Sequence, residues 1–582
     1  MEKSAPNSTK LAWKAFKTVL SVDTKIGFPY LIAKNASALL NLYLVFIFGK
    51  LIDSIGQLIV NYESFSISAL SETGALKYFF ILVISKLFII ASAKTIEYAD
   101  IALYNLFWTK TIKNIMTKIS SLNLEDVENQ KIQKLVTTVP SYSVDSVWNT
   151  FTYLTEMVNN ILVLIGAGWV ITTQMSPWGL LVIFFVIPEA IYKYKQNRKL
   201  KEFRDQNATR LQYTDYLYQQ SVILNNFPEL RVDSVFDFLI DSYENSSKIF
   251  NQSQNNIRLK REKGTALLSF VDEFFLRVVQ LLLIPVSIAR KYTIGQFKYL
   301  FDYLDNLFTA SWNVIWMTFL IKENSFYIDD YFQLIEYKGF GDIVSGTQKI
   351  DSIQVPSIEF INVDFSYPDS SSSTLENVSF RIDPGEKVAI LGPDNSGKST
   401  IAKLLCGLYR IGPGDILIDN ISIRNLERGQ LKDKIAVVFE HYIKYEFSIR
   451  KNITLTETET EFRRRKFEES LEITDLDKWM RENDFDESQI LGKQIGQGIQ
   501  ISSGHWQRIA ISRSLYRDRH ILILDESLTQ IDGPSRETIL KNIMEYRPKQ
   551  TLIYITQDNE NLSLFNKIIH IDKGKITEIQ KR

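Results

Sequence analysis

The segment KVAILGPDNSGKST, residues 387 to 400, is an apolar run followed by G-x-x-x-x-G-K-S-T and then by the helical pattern IAKLLCGLY. That spacing makes a cradle for phosphate. Gly392 and Gly397 let the backbone curl so that N–H groups converge on phosphate oxygens, and the helix that follows adds the partial positive charge of its N-terminus. In the loop formed by Gly392, Pro393, Asp394, Asn395, Ser396, Gly397, Lys398, Ser399 and Thr400, Lys398 should reach the β- and γ-phosphates and Ser399 should ligate Mg2+. A second apolar run, HILILDES (520 to 527), ends in adjacent carboxylates. Asp525 is placed to hold Mg2+ through water, and Glu526 to orient or deprotonate an attacking water. ATP and Mg2+ are therefore the expected cofactors.

These residues need parallel strands to bring them together, and the chain from about residue 355 supplies the pattern. Short apolar strands alternate there with helical segments, an α/β signature. The first 325 residues differ in character, holding long apolar stretches that the near-zero mean hydropathy conceals. With 582 residues, two or three domains are expected. We place a membrane domain at 1–325, a linker at 326–354 and a nucleotide-binding domain at 355–582. Lys plus Arg number 67 and Asp plus Glu number 67, so no charge excess recommends nucleic acid as a partner. Cys406 is the only cysteine, which excludes an internal disulfide and cysteine-clustered metal sites.

A helix needs about 20 largely apolar residues to cross roughly 30 Å of hydrocarbon. Six stretches approach that length: 27 to 49, 76 to 93, 151 to 171, 178 to 194, 266 to 289 and 301 to 321. Residues 51 to 75 hold Asp53, Glu63 and Glu72 and no Lys or Arg, whereas the connections at about 94 to 150 and 195 to 265 are long and basic. Positive charge concentrates on the cytoplasmic side, so those two connections and both termini are expected in the cytoplasm of a multi-pass protein of the cytoplasmic membrane. Each connection contains an amphipathic piece, at 122 to 139 and 225 to 243. In the second, Val232, Val235, Phe236, Leu239 and Ile240 recur at spacings of three and four. Ionisable residues within the spans, Lys34, Lys86, Glu189, Asp272, Glu273, Arg277, Asp302 and Asp305, either face a wet cavity or neutralise one another.

The segment ISSGHWQRIAISRSLYRDRHILILDES (501 to 527) resembles the ABC transporter signature L-S-G-G-Q-x-Q-R-x-x-x-A-R-A before its second strand. FSYPD (365 to 369) is similar to the adenine-stacking loop of that family, with Tyr367 the aromatic. The whole chain resembles an exporter half, six membrane helices followed by one ATP-binding domain. VVFEHYIKYEFSIRKNI and GHWQRIA are further similar to exporters of lanthionine-containing bacteriocin peptides. The resemblance implies a dimer in which the loop of one chain and Ser502, Ser503, Gly504 and His505 of another sandwich ATP. It also implies that the two amphipathic pieces are coupling helices docking beside the loop containing Glu440.

Four positions depart from the family pattern. Glu440 stands where a Gln is expected, Ser503 and His505 replace a Gly and a Gln of the signature, and LTQID (528 to 532) replaces S-A-L-D. The switch His falls in TLIYITQDN (551 to 559), where Gln557 takes its place. The four histidines of the chain, His441, His505, His520 and His570, all lie elsewhere. A Gln amide can donate to a γ-phosphate oxygen, but a neutral donor makes the weaker bond. The deficit is about 1 to 2 kcal/mol, or about tenfold in rate, if the family's His acts protonated. Glu440 adds negative charge near Glu526 and the γ-phosphate. Glu526, Gln557 and Glu440 are thus the candidate catalytic group, and slowed hydrolysis is the expectation.

The leading reading is an ATP-driven exporter half carrying a peptide, paired with itself or with a different half-transporter. Two alternatives stand beside it: export of lipids or small amphipathic compounds, and an ATP-binding membrane sensor or resistance subunit that does not pump.

Overall fold

The computed structural model describes residues 7–61, 67–175, 177–223, 226–232, 234–339, 346–350, 354–368, 370, 372–427, 429–456, 460–493 and 498–582. Parts of the expected linker (340–345 and 351–353), Asp369 of the adenine-stacking segment, and Asn225 and Asp233 of the second amphipathic piece lie outside the described residues. The chain divides into two compact units, Met1–Ser120 with Lys134–Glu336, and Ser121–Gln133 with Tyr337–Arg582.

The first unit begins with α1 (Ser8–Leu20), α2 (Thr24–Asn61), α3 (Ile67–Glu72) and α4 (Ala75–Ser120). After α5 (Leu124–Glu128) and α6 (Gln130–Thr138) come α7 (Val144–Gln174), α8 (Val182–Gln206), α9 (Ala208–Val222), α10 (Phe227–Val232), α11 (Val235–Ala289) and α12 (Ile294–Glu336). The six apolar stretches fall on α2, α4, α7, α8, α11 and α12. Four segments, Thr24–Asn61, Ala75–Ser120, Val144–Gln174 and Pro177–Arg204, are long and apolar enough to cross a membrane by length and composition. On α4, Ile84, Phe88 and Ile90 are 64%, 58% and 60% exposed, a surface that suits hydrocarbon rather than water. At 55 residues, α11 is about 80 Å long, well beyond a hydrocarbon core of roughly 30 Å. α12 runs on to Glu336, into the stretch expected as a linker.

Charged residues of this unit are mostly neutralised by neighbours. Arg277 Nε donates to Glu273 Oε1 at 2.8 Å, and Gln280 Nε2 donates to Asp305 Oδ1 at 3.1 Å. Lys298 pairs with Asp302, while Lys34 Nζ reaches Thr155 Oγ1 at 3.1 Å. Glu189 and Asp272 are buried, and no cation pairs with either among the described residues. The second amphipathic piece is not one helix. Ser234, at a left-handed φ of 55°, separates α10 from α11. Leu230 and Leu239 consequently bury against Leu217 with Val235 and Phe236, while Val232 and Ile240 stay exposed at 82% and 57%.

The second unit holds two sheets. β1 (Ile358–Phe365), β2 (Leu375–Ile382), β4 (Asp415–Ile418) and β5 (Ile421–Ser422) form an antiparallel sheet in the order β2-β1-β4-β5. β3 (Lys387–Leu391), β6 (Ile435–Val438), β7 (Ile521–Asp525), β8 (Thr551–Thr556), β9 (Lys567–Asp572) and β10 (Lys575–Lys581) form the other, in the order β10-β9-β3-β8-β7-β6. From β9 to β6 the pairs are parallel. Every residue of β3, β7 and β8 is buried, as expected of central strands covered on both faces. Helices α13 (Lys398–Leu405), α14 (Gln430–Lys434), α15 (Ile449–Thr454), α16 (Glu461–Ile473), α17 (Leu476–Glu482), α18 (Ser503–Tyr516) and α19 (Gly533–Tyr546) complete it.

Residues 121–133 belong to this unit. Leu124 packs against its core, Tyr409 OH donates to Glu128 Oε1 at 2.6 Å, and the Arg410 N–H donates to Glu125 Oε1 at 2.6 Å. The first amphipathic piece thus hydrogen-bonds to Tyr409 and Arg410, just past α13, and its Asp126 Oδ1 accepts from Tyr337 OH at 3.0 Å. The neighbouring Glu128 and burial push the Tyr409 hydroxyl well above its usual range, burial being the larger cause.

Candidate functional site

The strand order β3-β8-β7-β6 puts four C-terminal strand ends in a row, where ligands of open parallel sheets bind. Gly392 follows β3, Gln557 follows β8, Asp525 ends β7, and Glu440 lies just past β6. Pairing of Leu391 with Thr556 and of Asp525 with Ile555 fixes the register among them. Sequence-distant groups therefore meet at one edge because neighbouring strands stop together.

The loop after β3 is tightly built. A Cβ on Gly392 would stand 2.2 Å from the Ile571 carbonyl oxygen, and Gly397 has a φ of 102°. Asn395 is left-handed too (φ 59°), a conformation Asn tolerates better than most residues. Ser396 Oγ is buried and has no hydrogen-bond partner among the described residues, so a phosphate oxygen could accept from it. Lys398 Nζ donates to the carbonyls of Gly392 and Pro393 at 2.8 Å each and lies 3.5 Å from Glu526 Oε1. Ser399 Oγ donates to Asp525 Oδ1 at 2.9 Å. That hydroxyl and carboxylate form a hard oxygen pair of the kind Mg2+ takes. Burial, with Glu526 and Glu440 adding like charge, pushes the Asp525 carboxyl up to about 6.

Gln557 closes the group. Its Nε2 donates to Glu526 Oε1 and Oε2 at 3.0 and 2.9 Å and also to Asp394 Oδ1. Glu526 itself has a left-handed φ of 49°, and its N–H donates to the Ile555 carbonyl at 3.0 Å.

Residues 375–529 match the ABC transporter family. The chain is 26% identical over 472 residues to the subtilin transport ATP-binding protein of Bacillus subtilis, covering 80% of this chain and 75% of that one. It is 24% identical over 470 residues to the nisin transport ATP-binding protein of Lactococcus lactis, covering 80% and 78%. The ATP-dependent lipid A-core flippase of Escherichia coli is 31% identical over 221 residues, 38% of this chain and 37% of that one. A bacterial Atm1-family ABC exporter with ATP bound shares the fold at a TM-score of 0.73 and 17% identity, over 97% and 95% of the two chains. This is an ABC exporter half-transporter. It is an ABC-type ATPase with a helical membrane domain fused to its ATP-binding domain, and ATP-driven export is its general activity.

The remaining expected residues of this transporter lie away from the row of strand ends. Ser502 is the N-cap of α18, accepting from the His505 N–H, and its Oγ stands 2.7 Å from His505 Nδ1. Ser503 and Gly504 open the helix. The His505 ring stacks on Trp479 with centroids 4.4 Å apart. Burial and then Arg508 lower its pKa below 6.5. Among the described residues no hydrogen bond or ion pair joins residues 502–505 to the phosphate loop, the arrangement expected if they serve a second chain's nucleotide. Tyr367 hydrogen-bonds through its hydroxyl with Thr400 Oγ1 at 3.0 Å and packs edge-on against Tyr409.

Sequence reasoning missed Trp479 as the support of His505 and missed the contact from Asp394 to Gln557. Only the sheet order could have shown the second, since the pair is 163 residues apart. An open cleft of about 810 Å3 beside the Glu440 segment, lined by Cys406, Phe439, Tyr442, Tyr445 and Arg513 among others, also has no sequence signal. Burial pushes the Cys406 thiol up to about 12.

Proposed function

We propose that this transporter exports a lanthionine-type peptide from the cytoplasm and that it binds ATP firmly but hydrolyses it slowly. Likeness over four-fifths of the chain to the subtilin and nisin transport proteins supports the cargo class. In the proposed mechanism the loop N–H groups and Lys398 hold the phosphates, and Lys398 exchanges its carbonyl partners for phosphate oxygens. Ser399 and Asp525 would hold Mg2+, which supplies charge neutralisation at the phosphates. Glu526 orients the attacking water, and Tyr367 meets the adenine once its hydroxyl leaves Thr400. Two chains pair so that Ser502 to His505 of one close over the nucleotide of the other, with both termini and the ATP-binding domains in the cytoplasm.

The observation that carries the slow-hydrolysis reading is the Gln557 amide seated on the Glu526 carboxylate. A neutral, non-titrating donor occupies the switch position, and Glu440 adds charge against closure. ATPase turnover of the purified chain is expected to rise about tenfold in Gln557→His with Glu440→Gln, the scale of one charge-assisted hydrogen bond. A fast wild type left unchanged by the double substitution would sink this reading. For cargo, ATP-dependent uptake of a lanthionine peptide into inside-out vesicles is expected. Lipid flipping without peptide uptake would replace the peptide by a lipid.

A further inference from the structure

The geometry points to Asp394 as a further positioning residue of the hydrolytic site, a loop carboxylate that holds Gln557, and through it Glu526, in a closed triad that ATP must break. This inference rests on the reading of Gln557 as the switch residue. An amide NH2 group has two hydrogens and no acceptor capacity on nitrogen. Here one hydrogen goes to Asp394 Oδ1 and the other is shared between the two oxygens of Glu526. Nothing is left for a γ-phosphate. Both acceptors are carboxylates, and hydrogen bonds to ionised acceptors are about twice as strong as neutral ones.

The backbone leaves little slack in this arrangement. Leu391 at the end of β3 pairs with Thr556, the residue before Gln557, so the loop and the switch position are held side by side. Glu526 is set by its left-handed φ of 49° and its N–H bond to Ile555, and Lys398 lies 3.5 Å from the same carboxylate. A histidine carries at most one N–H on each ring nitrogen, so it could not bridge two carboxylates from a single atom as Gln557 does. Asp394 and Gln557 thus act as a pair.

ATP brings a γ-phosphate that needs the Gln557 donor and repels Asp394. ADP brings no such group and leaves the triad intact. The triad therefore lowers affinity for ATP relative to ADP, and Asp394 is the residue that sets the penalty.

The test uses the full chain in lipid nanodiscs and measures equilibrium affinities for a non-hydrolysable ATP analogue and for ADP. Asp394→Ala should raise the ratio of analogue to ADP affinity about tenfold, the scale of one hydrogen bond to a charged group. In a Gln557→Ala background that gain should vanish, since the cycle isolates the coupling between the two side chains. Asp394→Asn keeps an acceptor oxygen and removes the charge, so its gain should be smaller than that of Asp394→Ala. An equal gain in both backgrounds, or an Asn gain matching the Ala gain, would show a bare charge effect and overturn the proposal. No gain in any variant would overturn it as well. Because the readout is binding, it stands or falls separately from the turnover measurement on Gln557.

Discussion

His505 shows how a single substitution in a signature is absorbed by its surroundings. Its ring stacks on Trp479 and its Nδ1 faces the hydroxyl of Ser502, so the residue that replaces the signature Gln is packed and shared. Burial and Arg508 lower its pKa below 6.5. The folded chain therefore binds this proton less readily than the unfolded chain. Above pH 6.5 the two states do not differ at this group, and folding stability falls as pH drops from there toward the depressed value, below which both states are protonated and no more is lost. Thermal unfolding measured from about pH 7 to about pH 5.5 should show a falling midpoint in the wild type and a flatter profile in His505→Gln. Identical slopes would show that another group dominates. At this scale the meeting of Lys398 with Glu526 and of Ser399 with Asp525 could be expected from the sequence, because each sits in a contiguous motif beside an apolar strand. Gln557 was legible only as a missing histidine, and its partner Asp394 was not legible as such.

At the scale of elements, the strand, loop and helix from β3 to α13 form the least tolerant piece of the molecule. Gly392 has no room for a Cβ against the backbone oxygen of Ile571, which cannot step aside as a side chain could. Gly392→Ala is expected to abolish binding of a fluorescent ATP analogue and to lower the unfolding midpoint; retained binding would mean that the loop can rebuild. The docking of α5 offers a second prediction. Tyr409→Phe removes the donor to Glu128 and leaves a carboxylate without that partner, so ATPase activity should persist while ATP-driven peptide uptake falls several-fold, about one hydrogen bond to a charged group. Equal losses of both activities would place Tyr409 in ATP handling instead. The apolar runs fixed the existence of the long helices but not their ends. α11 and α12 extend through polar residues, where periodicity fades and neighbouring helices decide. The break at Ser234 was likewise hidden, since the apolar spacing runs straight across it.

For the whole molecule the governing question is which chain's nucleotide Ser502 to His505 serve, since among the described residues no hydrogen bond or ion pair joins them to the phosphate loop of their own chain. If two copies complete each other's sites, a chain carrying Lys398→Ala and one carrying Ser502→Arg should regain hydrolysis when co-expressed, because one of the two composite sites is then intact. A silent mixture of two individually silent chains would indicate pairing with a different half-transporter. The division into a membrane unit and an ATP-binding unit was plain in the hydropathy. The inclusion of residues 121–133 in the ATP-binding unit was not, because Leu124, Glu125 and Glu128 find their partners only after folding.

The sole thiol of the chain has a practical consequence. Burial pushes the Cys406 thiol up to about 12, so at neutral pH it is almost entirely uncharged. A single half-buried thiol leaves little competition for spectroscopic labelling at exposed sites. A single cysteine introduced at an exposed site such as Val232 would carry a spin or fluorescent probe with little competition, and the opening and closing of the assembly could be followed without first removing native thiols.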